Sequence, residues 1–210
     1  AITHKNESTW IAQRNGRTKD GDDKTQVAVL KMFAMSSSRP FAENLAEMNI
    51  APIAVSYEYE PCDALKTQEV YLLRKNGTYT KTANEDLNSI VTGIRQFKGR
   101  ISYTFCPPIT ETELTSCQEA PHKERFRLLA EIIDRRIYSG YRLFKTNYMA
   151  YDLLEGTHRF AQQYSEADLK EFVEYVEERT SSLKGDRGEL RNIFLGIYAN
   201  PVRNCIDNNI

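Results

Sequence analysis

Three cations crowd one glycine near the start of this chain: Arg14, Arg17 and Lys19 surround Gly16, with Asn15 beside it. Guanidinium groups grip phosphate oxygens through paired N–H donors, lysine adds a point charge, and glycine lets backbone N–H groups come close. The chemistry this suits is capture of a phosphate or phosphoglycerol head group, although a charged turn of this kind also occurs as plain solvated surface. Neither a P-loop nor a dinucleotide-binding glycine pattern is present. Asp20, Asp22 and Asp23 follow, but the twelfth position counted from Asp20 is Lys31, where a calcium loop needs glutamate, so no metal site is expected. His122 and His158 have no cysteine or carboxylate at ligand spacing and read as a helix-start residue and a surface residue. Cys62 follows a strand with no histidine near it in sequence, which argues against a catalytic thiol. The aromatic series Tyr138, Tyr141, Phe144, Tyr148 and Tyr151 reads as packing between short helices, with acyl-chain or membrane contact as the alternative.

Something must hold the basic loop in place. Residues 9–13 read as a short strand that delivers it, and Asp22 or Asp23 as the cap of a following helix whose Val27, Leu30, Met32, Phe33 and Met35 suggest burial on more than one face. Pro40 opens a helix over residues 41–48, and the β-branched and aromatic run at 50–59 predicts a strand. Helices follow at 62–75 and 84–97, then a strand at 100–105 and a polar loop at 107–121. Strands separated by helical stretches favour parallel crossovers. The expected fold is therefore α/β, a mostly parallel sheet flanked by helices in residues 1–118, with a C-terminal helical extension in 119–210. Within that extension the pattern predicts helices at 122–138 and 147–154, one capped by Ser165 and a last one at 189–199 ending before Pro201. A short extended piece is expected at 142–146 and a hinge at 185–188.

Composition narrows the classes. The chain has 210 residues, with 28 Lys and Arg against 29 Asp and Glu, so no global charge points to a nucleic-acid partner. No apolar run approaches the ~20 residues of a membrane-spanning helix, and the first residues do not read as a signal peptide. Four cysteines without a Cys-x-x-Cys pair suit reduced thiols, which points to the cytoplasm.

Two stretches carry a likeness to a known family. Residues 10–21, WIAQRNGRTKDG, followed by Asp23, Lys24, Thr25 and Gln26, resemble the third conserved block of the glycerolipid acyltransferases, which act on lysophosphatidate or glycerol 3-phosphate. Residues 50–61, IAPIAVSYEYEP, look like the fourth block, and residues 146–154 are similar to a bacterial branch of these proteins. The resemblance, which spans residues 9–155, implies a phospholipid-biosynthesis enzyme that moves a fatty acyl group from coenzyme A or acyl carrier protein to a glycerophosphate or 1-acylglycerophosphate hydroxyl. The thioester is a co-substrate, and no further cofactor is implied. Arg14, Arg17 and Lys19 would hold the acceptor phosphate, Gly16 would allow close backbone approach, and Asn15 stands where the family has glutamate. The family's His-x4-Asp base and orienter are absent, since the residues five beyond His4, His122 and His158 are Thr9, Arg127 and Gln163. The resemblance thus implies that the base lies upstream of Ala1 and that these 210 residues bind without turning over. It further implies contact at the inner face of the cytoplasmic membrane, and an edge left by missing strands would favour a homo-oligomer. The alternative is a non-catalytic lipid- or partner-binding protein on the same fold.

Overall fold

The computed structural model describes residues 7–12, 19–35 and 37–210. The chain is mainly helical. Its elements are α1 (Val27–Ala34), α2 (Phe41–Ala46), β1 (Ile53–Tyr57), α3 (Asp63–Asn76), α4 (Glu85–Arg95), β2 (Ile101–Phe105), α5 (Glu111–Glu119), α6 (Arg125–Ser139), α7 (Lys145–Glu155), a 3₁₀ turn at Ala161–Gln163, α8 (Glu166–Ser181) and α9 (Arg187–Asp207). These elements fall into two compact units. Of the described residues, one comprises 7–12, 23–54 and 103–141, the other 19–22, 55–102 and 142–210.

The expected mostly parallel sheet is not found: among the described residues the only sheet is the pair β1–β2, and it is antiparallel. Cys106 N–H donates to the Pro52 carbonyl at 3.0 Å and Glu58 N–H to the Arg100 carbonyl at 2.9 Å, so partners rise along one strand as they fall along the other. The connection between the two strands holds two helices, α3 and α4, rather than the single crossover helix that returns the chain for a parallel strand. Nor do the flanking pieces add strands. Residues 9–12 form none, with Trp10 and Ile11 exposed, and residue 13 lies outside the described residues. Of the stretch expected to be extended at 142–146, residues 142–144 lie outside any helix and Phe144 is extended, while Lys145 and Thr146 already belong to α7, because the Asn147 side chain accepts from Phe144 N–H at 2.8 Å and opens the helix at Lys145.

In the first unit, Leu30, Leu45, Leu114, Leu129, Ile133 and Ile137 form the core where α1, α2, α5 and α6 meet. Contrary to expectation, α1 buries one face only: Leu30 is enclosed while Met32 and Met35 are exposed. Neither Asp22 nor Asp23 caps this helix, which begins after Gln26 without a side-chain cap. Asp23 instead accepts from the Tyr141 hydroxyl at 2.9 Å, and Asp134 accepts from Thr25 N–H at 2.7 Å. The expected polar loop at 107–121 contains α5. Thr110 accepts from Glu113 N–H while the Glu113 carboxylate accepts from Thr110 N–H, a reciprocal cap that starts a helix with only Leu114 and Cys117 buried.

The second unit is built around α9, which is flanked by α7, α3 and α8 and buries Phe194, Leu195, Ile197, Tyr198 and Val202. Met149 and Ala150 of α7 and Phe172 and Val176 of α8 complete its main core. Ser165 caps α8 as expected, pairing reciprocally with Asp168. The last helix does not stop before Pro201 but runs on to Asp207 with the proline inside it. Proline has no N–H, so the Ile197 carbonyl, four residues earlier, lacks its usual helical donor.

Candidate functional site

Arg14, Asn15, Gly16 and Arg17 lie outside the described residues; Lys19 and the stem that follows it do not. That stem is held at three points. The Lys19 ammonium forms an ion pair with Glu69 on α3, and burial together with the nearby Lys81 charge pulls its pKa down. Asn200 on α9 donates its side-chain N–H to the Asp20 carbonyl at 2.6 Å. Gly21, at a φ of +76°, lies against the very carbonyl that Pro201 leaves without a helical donor: a Cβ built there would sit 2.2 Å from the Ile197 oxygen. Asp20 closes the turn by accepting from Asp22 N–H at 3.2 Å.

This docking yields a prediction. In Gly21→Ala the left-handed backbone is penalised and the new methyl meets a main-chain oxygen that cannot rotate away, so about 1–3 kcal/mol of strain favours release of the stem. Hydrogen exchange at the Asp22 amide is expected to speed up in that variant; unchanged protection would show that the stem is not seated on α9.

The two helices that seat the stem are themselves locked by a buried charge. Asp63, in the first turn of α3, is fully enclosed. One of its oxygens accepts from Arg179 Nε at 2.9 Å and Nη2 at 2.5 Å, the other from the hydroxyls of Tyr175 at 2.5 Å and Tyr198 at 2.9 Å. Tyr198 in turn accepts from Glu60 N–H at 3.0 Å, and Glu60 pairs with Lys66 at 3.3 Å. Burial first, and then the Asp63 charge, push both phenols above their ordinary pKa. Burial works against the Arg179 cation, but its bonds to Asp63 outweigh this and raise its pKa. A carboxylate so completely bonded and shielded from solvent is in no position to act on a substrate. What it does is tie α3, α8 and α9 together, and so fix Glu69, Ile197 and Asn200 beneath the stem.

Sequence reading passed over Asp63, Glu69, Tyr175, Arg179, Tyr198 and Asn200. Tyr175 and Arg179 stand one helical turn apart on α8, a spacing that places both on one face and was available as a signal. The partner Asp63, more than a hundred positions away, had none.

The remaining residues singled out in the sequence do not converge. His122 and His158 are exposed, while His4 lies outside the described residues. The half-buried Cys62 thiol lies 3.5 Å from the Ser89 carbonyl. Of the aromatic series, Tyr138 and Tyr141 pack together in the first unit, whereas Tyr148 and Tyr151 both pack on Phe160 in the second. A cleft of about 440 Å³ in the first unit is lined in part by Cys106, Glu113, Arg135 and Arg136. Arg136 there is held by both Glu113 oxygens, at 3.0 and 2.7 Å, and burial pushes the Cys106 thiol up, away from thiolate chemistry.

Among the described residues no group of His, Cys, Asp and Glu is arranged to hold a metal ion, and no helix is long and apolar enough to cross a membrane. Comparison with protein-family models, with curated proteins and with solved structures gave no match for the chain.

Proposed function

We propose that this chain carries the acceptor-binding part of a glycerolipid acyltransferase, the enzyme class that moves a fatty acyl group from a coenzyme A or acyl-carrier-protein thioester to a glycerophosphate hydroxyl. The observation that carries the reading is the pair of sequence blocks at residues 10–26 and 50–61, in family order, with three cations around Gly16. The seating of the stem supports it, since a loop that must present charges to a phosphate needs a fixed exit. Arg14 and Arg17 supply the guanidinium donors, Gly16 the close backbone approach, and the Asn15 amide a neutral hydrogen-bonding group. Lys19 serves the site mainly through its ion pair with Glu69, which anchors the loop's end. None of the three histidines has an aspartate five positions on, so the part in acyl transfer proposed for these residues is to hold the acceptor rather than to deprotonate it.

Amide resonances of an isotope-labelled chain test this. Titration with glycerol 3-phosphate is expected to shift the amides of residues 14–22, and glycerol at equal concentration is not. Equal shifts with both, or shifts confined to other segments, would contradict the reading.

A further inference from the structure

Helix α4 is turned the wrong way for a helix of a soluble core. Leu87, Ile90, Val91 and Ile94 fall within an arc of roughly 100° at 3.6 residues per turn. That stripe faces away from the protein: Leu87 is 59%, Ile90 60% and Ile94 73% exposed, and no residue of α4 is buried. What touches the body is the opposite, small and polar side. The Ser89 carbonyl meets the Cys62 thiol, and a Cβ on Gly93 would lie 3.7 Å from the same sulfur. Phe97, just beyond the helix, is 72% exposed, its ring tilted at 45° to that of Tyr59 with 5.4 Å between centroids.

Charge is distributed unevenly along this helix. At its start the acids are engaged, Asp86 by Lys81 at 2.5 Å and Glu85 by the Tyr79 hydroxyl at 2.6 Å. At its end Arg95 is exposed and Lys98 donates only to the Ile94 and Gln96 carbonyls, at 3.0 and 2.8 Å. Among the described residues neither cation has a carboxylate partner within ion-pair distance. An outward apolar stripe that ends in an exposed phenylalanine flanked by two uncompensated cations is complementary to one kind of surface. Its side chains can enter an acyl layer while Arg95 and Lys98 reach phosphate groups at the boundary.

We propose that α4 is an interfacial helix that docks this protein on an anionic lipid surface, lying in its plane. The helix is about 16 Å long, at 1.5 Å per residue, too short to span a bilayer and sufficient to lie on one. The inference stands on α4 and its flanks alone and does not depend on the acyltransferase reading.

Co-sedimentation of the full chain with vesicles tests it. Vesicles of equal parts phosphatidylglycerol and phosphatidylcholine are expected to retain the protein, and vesicles of phosphatidylcholine alone to retain at least ~10-fold less. The double variant Ile90→Asp/Ile94→Asp, altered only at exposed positions, is expected to lose at least ~10-fold in vesicle affinity with an unchanged circular-dichroism spectrum. Arg95→Ser/Lys98→Ser is expected to bind weakly and without the salt dependence of the parent. Three results would overturn the proposal: no sedimentation with anionic vesicles, sedimentation that the aspartate variant preserves, or a lipid-free dimer that the aspartate variant dissolves, which would make a second copy of the chain the occupant of this face.

Discussion

Asp63→Ala is expected to lower the stability of the protein by about 3–5 kcal/mol, the range for removing one partner of a buried ion pair. The alanine leaves the Arg179 guanidinium without its anion, and it also removes the acceptor for the Tyr175 and Tyr198 hydroxyls. Tyr198 is buried and Tyr175 and Arg179 are partly so, and each of these donors loses a charged acceptor that solvent replaces only in part. Asp63→Asn separates charge from shape, because the amide still offers one acceptor oxygen and fits the same space. It is expected to fall between the parent and Asp63→Ala. Folded domains retain only about 5–15 kcal/mol in total, so Asp63→Ala is expected to remove a substantial share of it. Urea denaturation followed by circular dichroism measures the difference, and a loss under about 1 kcal/mol for the alanine variant would show that the network contributes little net stability.

The second large effect falls on binding. Arg17→Ala is expected to weaken binding of glycerol 3-phosphate by roughly 10- to 150-fold. A hydrogen bond to a charged group contributes on the order of 1.5–3 kcal/mol, and Arg17 follows directly on Gly16, where the backbone permits close approach. A planar guanidinium offers two donors to one phosphate, an ammonium only a point charge. Lys19 already spends its charge on Glu69, so Lys19→Ala is expected to cost less and to act by loosening the stem.

The sequence disclosed its local elements better than their assembly. The β-branched run at 50–59 did contain β1, and the Ser165 and Asp168 pair did open α8, because both signals reside in neighbouring residues. The same kind of signal was present at Thr110 and Glu113, yet the stretch read as loop since α5 buries so few apolar side chains. Pro201 read as a terminator because isolated propensity disfavours it within a helix. The packed faces of Leu195, Tyr198 and Val202 on either side outweigh that cost, and the carbonyl it frees is the one on which Gly21 rests. Strand direction depends on how the chain is routed between β1 and β2, which periodicity does not record. Of the site, the cations were legible from composition and spacing alone. The anchors of the stem at residues 19–21, Glu69, Ile197 and Asn200, were not, since contacts fifty to one hundred and eighty positions apart leave no trace in a single sequence.

The central claim is that the loop around Gly16 is an acceptor-phosphate site, and calorimetric titration of the whole chain with glycerol 3-phosphate tests it most directly. The parent chain is expected to give a saturable heat, Arg17→Ala a roughly 10- to 150-fold weaker affinity and Lys19→Ala a smaller loss. Equal losses in the two variants would mean diffuse charge attraction rather than a site, and no saturable heat for the parent would contradict the claim outright.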